Sequence, residues 1–307
     1  MVNQSEDVKK PFFSIVIPTY NRKEYVFGAI KSVLNQTFKD FELIVVDDGS
    51  TDGTHEEIDV FSDERLRYVY QANRGAPVAR NTGISAARGE YISFLDSDDV
   101  FLENKLARVF EEIQKFPTET ILISSHERVK ADKSSIYYNP EKCLTPPEFK
   151  RLLHYHIIDS STSGLVIKRA SLVEEGGFDS TLKCIQDREL LFRMCQSHGC
   201  VLISDILWQK NWTKDSIVAN IVRPHYVSSI MDIADRNPSF DEEYKDALHY
   251  LVFRAIIKNL VKGNFSKVVE DVKTLKSRKK QQESFLTMIK DYFNVKKIRR
   301  QHKFSSS

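Results

Sequence analysis

The chain has 307 residues, enough for a full hydrophobic core with an appendage beside it. Its 45 basic and 43 acidic side chains nearly cancel and 41% of residues are hydrophobic, so the composition is that of an ordinary soluble protein and gives no ground for a nucleic-acid partner. Cys143, Cys184, Cys195 and Cys200 form no CxxC pair, which speaks against a zinc site or a disulfide framework. No apolar window approaches membrane-spanning length, and the start MVNQSEDVKKPFF has no apolar run after its lysines, so the expected location is the cytoplasm.

In chain order, FFSIVIP predicts a first strand, and KEYVFGAIKSVLNQT a helix with Val26, Ile30, Val33 and Leu34 at helical spacing. FELIVVDD reads as a second strand, apolar on both faces as a central parallel strand should be. STDGTHEEIDVF predicts a helix, LRYVYQ a third strand, APVARNTGISAA a small-residue helix and GEYISFLD a fourth strand. ENKLARVFEEIQKF and TILISS add a helix and a strand, with the break at Pro117. Such alternation marks βαβ units, hence an α/β fold with a mostly parallel sheet flanked by helices.

Beyond about Lys130 the regularity weakens, and Pro140, Pro146 and Pro147 break the chain before PEFKRLLHYHII. SGLVIKRASLVEEGGFD predicts a strand, a short helix and a turn, QDRELLFRMCQSHG a helix closed by Gly199, and CVLISDILWQ a strand. From about Pro224 only helices are expected, an all-helical appendage whose apolar stripes around Phe253, Ile257 and Leu260 point to a homo-oligomer. The basic run from Lys276 to Lys303 reads as a solvated helix face. The alternative is an amphipathic segment, FLTMIKDYFNVKKIRR, meeting a partner subunit or the membrane's inner face peripherally.

Ligands of an open parallel sheet bind beyond the carboxyl ends of its strands. Asp47 and Asp48 follow LIVV, and Asp96, Asp98 and Asp99 follow YISFL, which brings both acid groups to one rim. Carboxylates this close raise one another's pKa unless a cation keeps them ionised, and hard oxygen ligands suit Mg²⁺ or Mn²⁺. The competing structural use is an N-cap of the next helix. Asp48, beside GSTDGT, has the acceptor chemistry for a base or a sugar, and Arg74 and Arg80 are placed to meet phosphate or a carboxylate.

Four segments, SIVIPTYNR, SVLNQTFKDFELIVVDDGSTDGT, NRGAPVARNTGISAARGEYISFLDSDD and GGFDSTLKCIQDRELLFRM, resemble in order and spacing glycosyltransferase family 2, inverting GT-A enzymes that use nucleotide-diphosphate sugars. The resemblance implies a GT-A Rossmann-like fold over residues 12–222, with a nucleotide-sugar half at 12–130 and an acceptor half at 131–222. Residues 1–11 would be an N-terminal tail and 223–307 the helical C-terminal region. Pro18, Thr19, Tyr20 and Asn21 would lie at the nucleoside, Asp48 would read the uracil of a UDP-sugar, and Arg74, Arg80, Asp96 and Ser97 would complete the donor site. Asp96 and Asp98 match the DxD pair, with Asp99 beside them as a third candidate ligand for Mn²⁺ or Mg²⁺. Asp187 matches the general base, although Gln186 stands where the family commonly has Glu. No Gln-x-x-Arg-Trp follows, which implies addition of one sugar to a glycan or glycoprotein acceptor rather than processive synthesis. Two other readings are a nucleotidyltransferase, which would release pyrophosphate, and a catalytically silent UDP-binding scaffold.

Overall fold

The computed structural model describes residues 10–130, 133–155, 157–212, 226–236 and 242–277, with a few single positions between 290 and 297. The basic run from Lys276 to Lys303, with the membrane or partner contact expected of it, lies almost wholly outside these described residues, as does most of the N-terminal tail. The chain forms two compact units. One comprises Met1–Cys143, Ser161–Phe178 and Cys200–Trp212, and the other Leu144–Ser160, Asp179–Gly199 and Thr213–Ser307.

The first unit is built on a ten-stranded sheet. In chain order it runs β1 (Phe13–Thr19), α1 (Lys23–Leu34), β2 (Phe41–Asp47), α2 (Thr54–Asp59), β3 (Leu66–Tyr70), α3 (Ala76–Ala86), β4 (Tyr91–Phe94), β5 (Val100–Phe101), α4 (Lys105–Lys115), β6 (Ile121–Lys130), β7 (Lys133–Tyr137) and β8 (Lys142–Leu144). The other unit's α5 (Pro146–His154) intervenes before β9 (Leu165–Lys168) and α6 (Arg169–Glu174), and α7 (Gln186–Met194) before β10 (Cys200–Asn211). Strand order is β3-β2-β1-β4-β9-β6-β10-β5, with β7 on β6 and β8 on β10.

β1 pairs in parallel with β2 on one side and β4 on the other, Phe13 facing both Phe41 and Tyr91. Successive strands therefore depart in opposite directions from β1, and the crevice where strand order switches opens beyond the carboxyl ends of β1 and β4. β1, β2 and β4 are buried along their whole length, which explains why their sequences are apolar on both faces. α3 lies against β1 through Gly83, where an added Cβ would come within 2.3 Å of Val16 Cγ1.

Beyond β4 the sheet departs from simple βαβ repetition. β9 is antiparallel to both β4 and β6, β5 is antiparallel to β10, and the hairpin of β6 and β7 extends the sheet where the sequence showed only weakened regularity. The two-residue β5 lies immediately after the acid cluster, which is therefore pinned between β4 and β5.

In the second unit Pro146 and Pro147 start α5 rather than break the chain. They occupy its first turn, where a missing N–H is harmless, and Thr145 with Glu148 forms a capping box. α7 buries Leu190, Leu191 and Met194 as its spacing predicts, and Phe192 meets His154 of α5 edge-on at 5.2 Å. α8 (Tyr226–Arg236), α9 (Glu242–Val261) and α10 (Phe265–Ser277) follow, all of them helices. Asn259 of α9 donates to Asp271 of α10 at 3.2 Å, and Lys267 pairs with the same carboxylate at 3.0 Å. Phe253 is buried within this unit against Tyr292, leaving Leu260, Val261 and Phe265 as its exposed apolar positions at the turn between α9 and α10. Among the described residues no helix is long and apolar enough to cross a membrane.

Candidate active site

The rim of β1, β2 and β4 carries both acid groups that the sequence singled out, whereas Asp187 lies on α7. At the end of β1, Pro18 and Thr19 are buried and Tyr20 is exposed. Asn21 takes a left-handed φ of 50°, which aims its N–H at Ser50 Oγ (2.9 Å) and its Oδ1 at the Thr51 N–H (2.8 Å). This ties the β1 loop to the GSTDGT loop.

Asp47 and Asp48 both turn inward. Asp47 accepts from the Tyr68 hydroxyl at 2.9 Å and from the Ser50 N–H at 2.8 Å. Asp48 accepts from Gln71 Nε2 (2.7 Å) and from the N–H groups of Arg74 (2.9 Å) and Gly75 (2.7 Å). Gln71 is itself held by Thr82 Oγ1 at 2.6 Å. The carboxylate thus shapes the loop from Gln71 to Gly75 and keeps part of one oxygen's acceptor capacity for another donor. Arg74 contributes here through its backbone, and its exposed guanidinium has no partner among the described residues.

The cluster after β4 divides by direction. Asp96 Oδ1 accepts from Arg80 at 2.8 Å while its side chain stays about a third exposed (31%). Arg80 is buried, with its guanidinium over the Phe178 ring at 5.4 Å. Burial opposes ionisation of Asp96, but Arg80 first, then Lys210 and Arg22, outweigh it and hold the carboxyl below the usual range. Asp98 lies 4.0 Å from Arg22, and burial together with the charge of Asp96 raises its pKa despite that arginine. Ser97 is buried between them.

Asp99 points into the protein. Its Oδ2 accepts from Ser163 Oγ at 2.6 Å and its Oδ1 from the Asn211 N–H at 3.1 Å. Burial and Asp96 push its pKa up to about 8. Among the described residues no three His, Cys, Asp or Glu side chains converge as a metal-holding group. Asp96 and Asp98 are the two carboxylates of the cluster that face arginines, Arg80 and Arg22.

The model for the family described as glycosyl transferase family 2 matches residues 14–172, more than half of the chain and the whole of this rim. The chain belongs to glycosyl transferase family 2.

Among curated relatives, Glycosyltransferase GlyG of Streptococcus pneumoniae serotype 4 is 37% identical over 128 residues, 41% of this chain and 42% of the relative. Alignments with such relatives span from 16% to 64% of their lengths. Among solved structures, S. aureus TarS 1-349 in complex with UDP superimposes with a TM-score of 0.58 at 20% identity, covering 90% of this chain and 93% of that one. The mannosyltransferase PcManGT from Pyrobaculum calidifontis, solved with GDP-Man and Mn²⁺, gives 0.59 at 18% identity, covering 90% and 77%. These likenesses carry the fold, which is the GT-A architecture.

For this family 2 chain, Asp187 belongs to the second unit, in the first turn of α7. Its Oδ1 accepts the Arg188 N–H at 2.8 Å, and Arg188 is anchored by the Leu153 carbonyl at 2.9 Å. Gln186 donates to the Leu182 carbonyl at 2.9 Å, a structural tie where the family commonly has an acid.

Sequence reasoning missed Arg22, Gln71, Lys105, Ser163, Lys210 and Asn211. One signal was present: Lys105 and Glu112 fall on the same helical stripe as Val109 and Ile113, charged residues on a face otherwise meant for the core. Ser163 and Asn211 carried none, because their partners lie 64 and 112 residues away in sequence.

Proposed function

We propose that the chain is an inverting hexosyltransferase that moves one sugar, glucose, galactose or N-acetylglucosamine, from a UDP-sugar to a hydroxyl of a glycan in bacterial surface polysaccharide or glycoprotein synthesis. The observation that carries the reading is the pair Asp96 and Asp98 at the switch point of a family 2 sheet, with Arg80, Arg22 and Lys210 gathered around it. The UDP complex of TarS supports the donor class, while the GDP-Man complex of PcManGT marks the chief competing nucleotide.

Two carboxylates with hard oxygens fit Mn²⁺ or Mg²⁺, which bind proteins through one or two carboxylates and complete their shell with phosphate oxygens and water. Asp96 and Asp98 would hold the ion and Asp99 would not, since both of its oxygens are engaged. When bound, the ion supplies Lewis-acid stabilisation of the charge that develops on the leaving diphosphate. The protein's own residues do the rest. Asp187 takes the proton of the acceptor hydroxyl, whose oxygen attacks the anomeric carbon from the side opposite the diphosphate. One bond forms, the anomeric C–O bond breaks, UDP leaves and configuration inverts once. The C-terminal helices would join copies of the chain into a homo-oligomer through the exposed turn of α9 and α10.

Incubation with a panel of UDP- and GDP-sugars and glycan acceptors, followed by analysis of the nucleotide product, tests the reading. UDP release with sugar transfer, lost in Asp187→Asn, is expected, whereas pyrophosphate release would turn the assignment to nucleotidyl transfer. Binding with no transfer by the wild type, and no effect of Asp187→Asn, would leave a scaffold.

A further inference from the structure

Lys105 is wholly buried, an unusual position for an ammonium group, which is seldom removed from water unless it is paired. Its Nζ donates to the Ser163 carbonyl at 2.6 Å and sits 3.9 Å above the Phe101 ring. Ser163, also wholly buried, stands in a single 3-10 turn (Thr162–Gly164) just before β9, and its hydroxyl does two things at once. It accepts the Asp96 N–H at 3.0 Å and donates to Asp99 Oδ2 at 2.6 Å. Asn211, at the end of β10, closes the loop from the other side, its N–H on Asp99 Oδ1 at 3.1 Å and its Nδ2 on the Asp98 carbonyl at 2.9 Å. The Asp99 N–H returns to the Asp96 carbonyl at 2.9 Å.

From this geometry we infer that Lys105, Ser163 and Asp99 are positioning residues: a buried strut that fixes the backbone of Asp96 to Asp99 so that the Asp96 and Asp98 carboxylates share one ion and a diphosphate. The inference rests on the donor site proposed above. It assigns Asp99 to support rather than ligation, and it gives the buried lysine a purpose. Neither Lys105 nor Ser163 reaches solvent, so their effect passes through the loop. Ligand-holding groups must sit within a fraction of an ångström of their working geometry, and such precision depends on the supporting shell.

A matched control exists in the same sheet. Ser93 of β4 is as deeply buried as Ser163, but its hydroxyl has no hydrogen-bond partner among the described residues. The full chain and its Ser163→Ala, Lys105→Met and Ser93→Ala variants are titrated calorimetrically with UDP at increasing Mn²⁺ and with chelator. Ser163→Ala and Lys105→Met are expected to raise the Mn²⁺ concentration for half-maximal UDP binding by about tenfold, the scale of one lost buried hydrogen bond. UDP binding under chelator should stay within about twofold of wild type, and Ser93→Ala should match wild type throughout. If Lys105→Met does not fold, Ser163→Ala carries the test. Wild-type Mn²⁺ dependence in Ser163→Ala, or an equal shift in Ser93→Ala, overturns the strut. Absence of any Mn²⁺-dependent UDP binding by the wild type overturns the donor-site reading itself, and the strut with it.

Discussion

A carboxylate at a strand end either turns outward to a ligand or folds back on its own chain, and the five aspartates of this rim divide between these uses. Asp48 and Asp99 accept hydrogen bonds from backbone N–H groups distant in sequence, and Asp47 from the nearby Ser50 N–H and the Tyr68 hydroxyl, while Asp96 and Asp98 face the arginines. Removing an inward carboxylate strands the donors it served. Asp48→Ala leaves the Arg74 and Gly75 N–H groups and Gln71 without their acceptor, at a cost of about 2–3 kcal/mol. A lowered denaturation midpoint with unchanged slope is the expected result. A midpoint equal to wild type would show that water or a rearranged loop replaces the carboxylate at no cost.

At the scale of elements, β1, β2, β3 and the end of α3 are fastened by one side chain. Glu42 of β2, almost wholly buried, accepts from Ser14 Oγ at 2.7 Å, Arg67 at 2.9 Å, and Arg88 through its backbone N–H at 2.7 Å and its side chain at 3.0 Å. Burial opposes ionisation of Glu42, but the Arg88 N–H, Ser14 and the two arginines together hold its pKa below the ordinary glutamate value. A carboxyl depressed in the folded state stabilises above its unfolded pKa, roughly 4.3, and loses that contribution as pH falls through the lower folded value. Glu42→Gln should therefore cost about 2–4 kcal/mol at pH 7, and the gap to wild type should close as the solution is acidified below roughly pH 4. Urea unfolding from pH 7 down to pH 3 measures this, and a gap independent of pH would deny the charged form its role.

The parallel half of the sheet was legible because both of its signals are local. Apolar runs such as FELIVVDD mark strands buried on both faces, and the acids that follow mark their carboxyl ends. The antiparallel entry of β9 was not legible, since SGLVIK reads as a strand in either direction and its partners are chosen by tertiary packing. β7 was missed for a related reason: as an exposed ribbon paired with β6 it has no buried face to impose alternation. At the site, the acid pairs stood out by position. The division of labour among them did not, because Ser163, Lys105 and Asn211 reach the loop only through long-range contacts.

At the scale of the whole molecule, the second unit uses Phe253 internally, so self-association would fall to the exposed turn of α9 and α10, where Val261 is 82% and Phe265 65% exposed. Light scattering of the full chain and of a Val261→Lys, Phe265→Lys double variant checks this. A mass that falls to the monomer's in the variant supports pairing through this turn, and equal masses for both remove it. In the first unit, Asp96 and Asp98 are proposed to form a metal-dependent site for a sugar nucleotide. The most direct test is calorimetric binding of UDP and a panel of UDP-sugars, with Mn²⁺ and with chelator, to wild type and to Asp98→Ala. Tight binding that requires the metal and disappears in Asp98→Ala is predicted. Binding that is indifferent to chelator, or retained in full by Asp98→Ala, would contradict the role given to the acid pair.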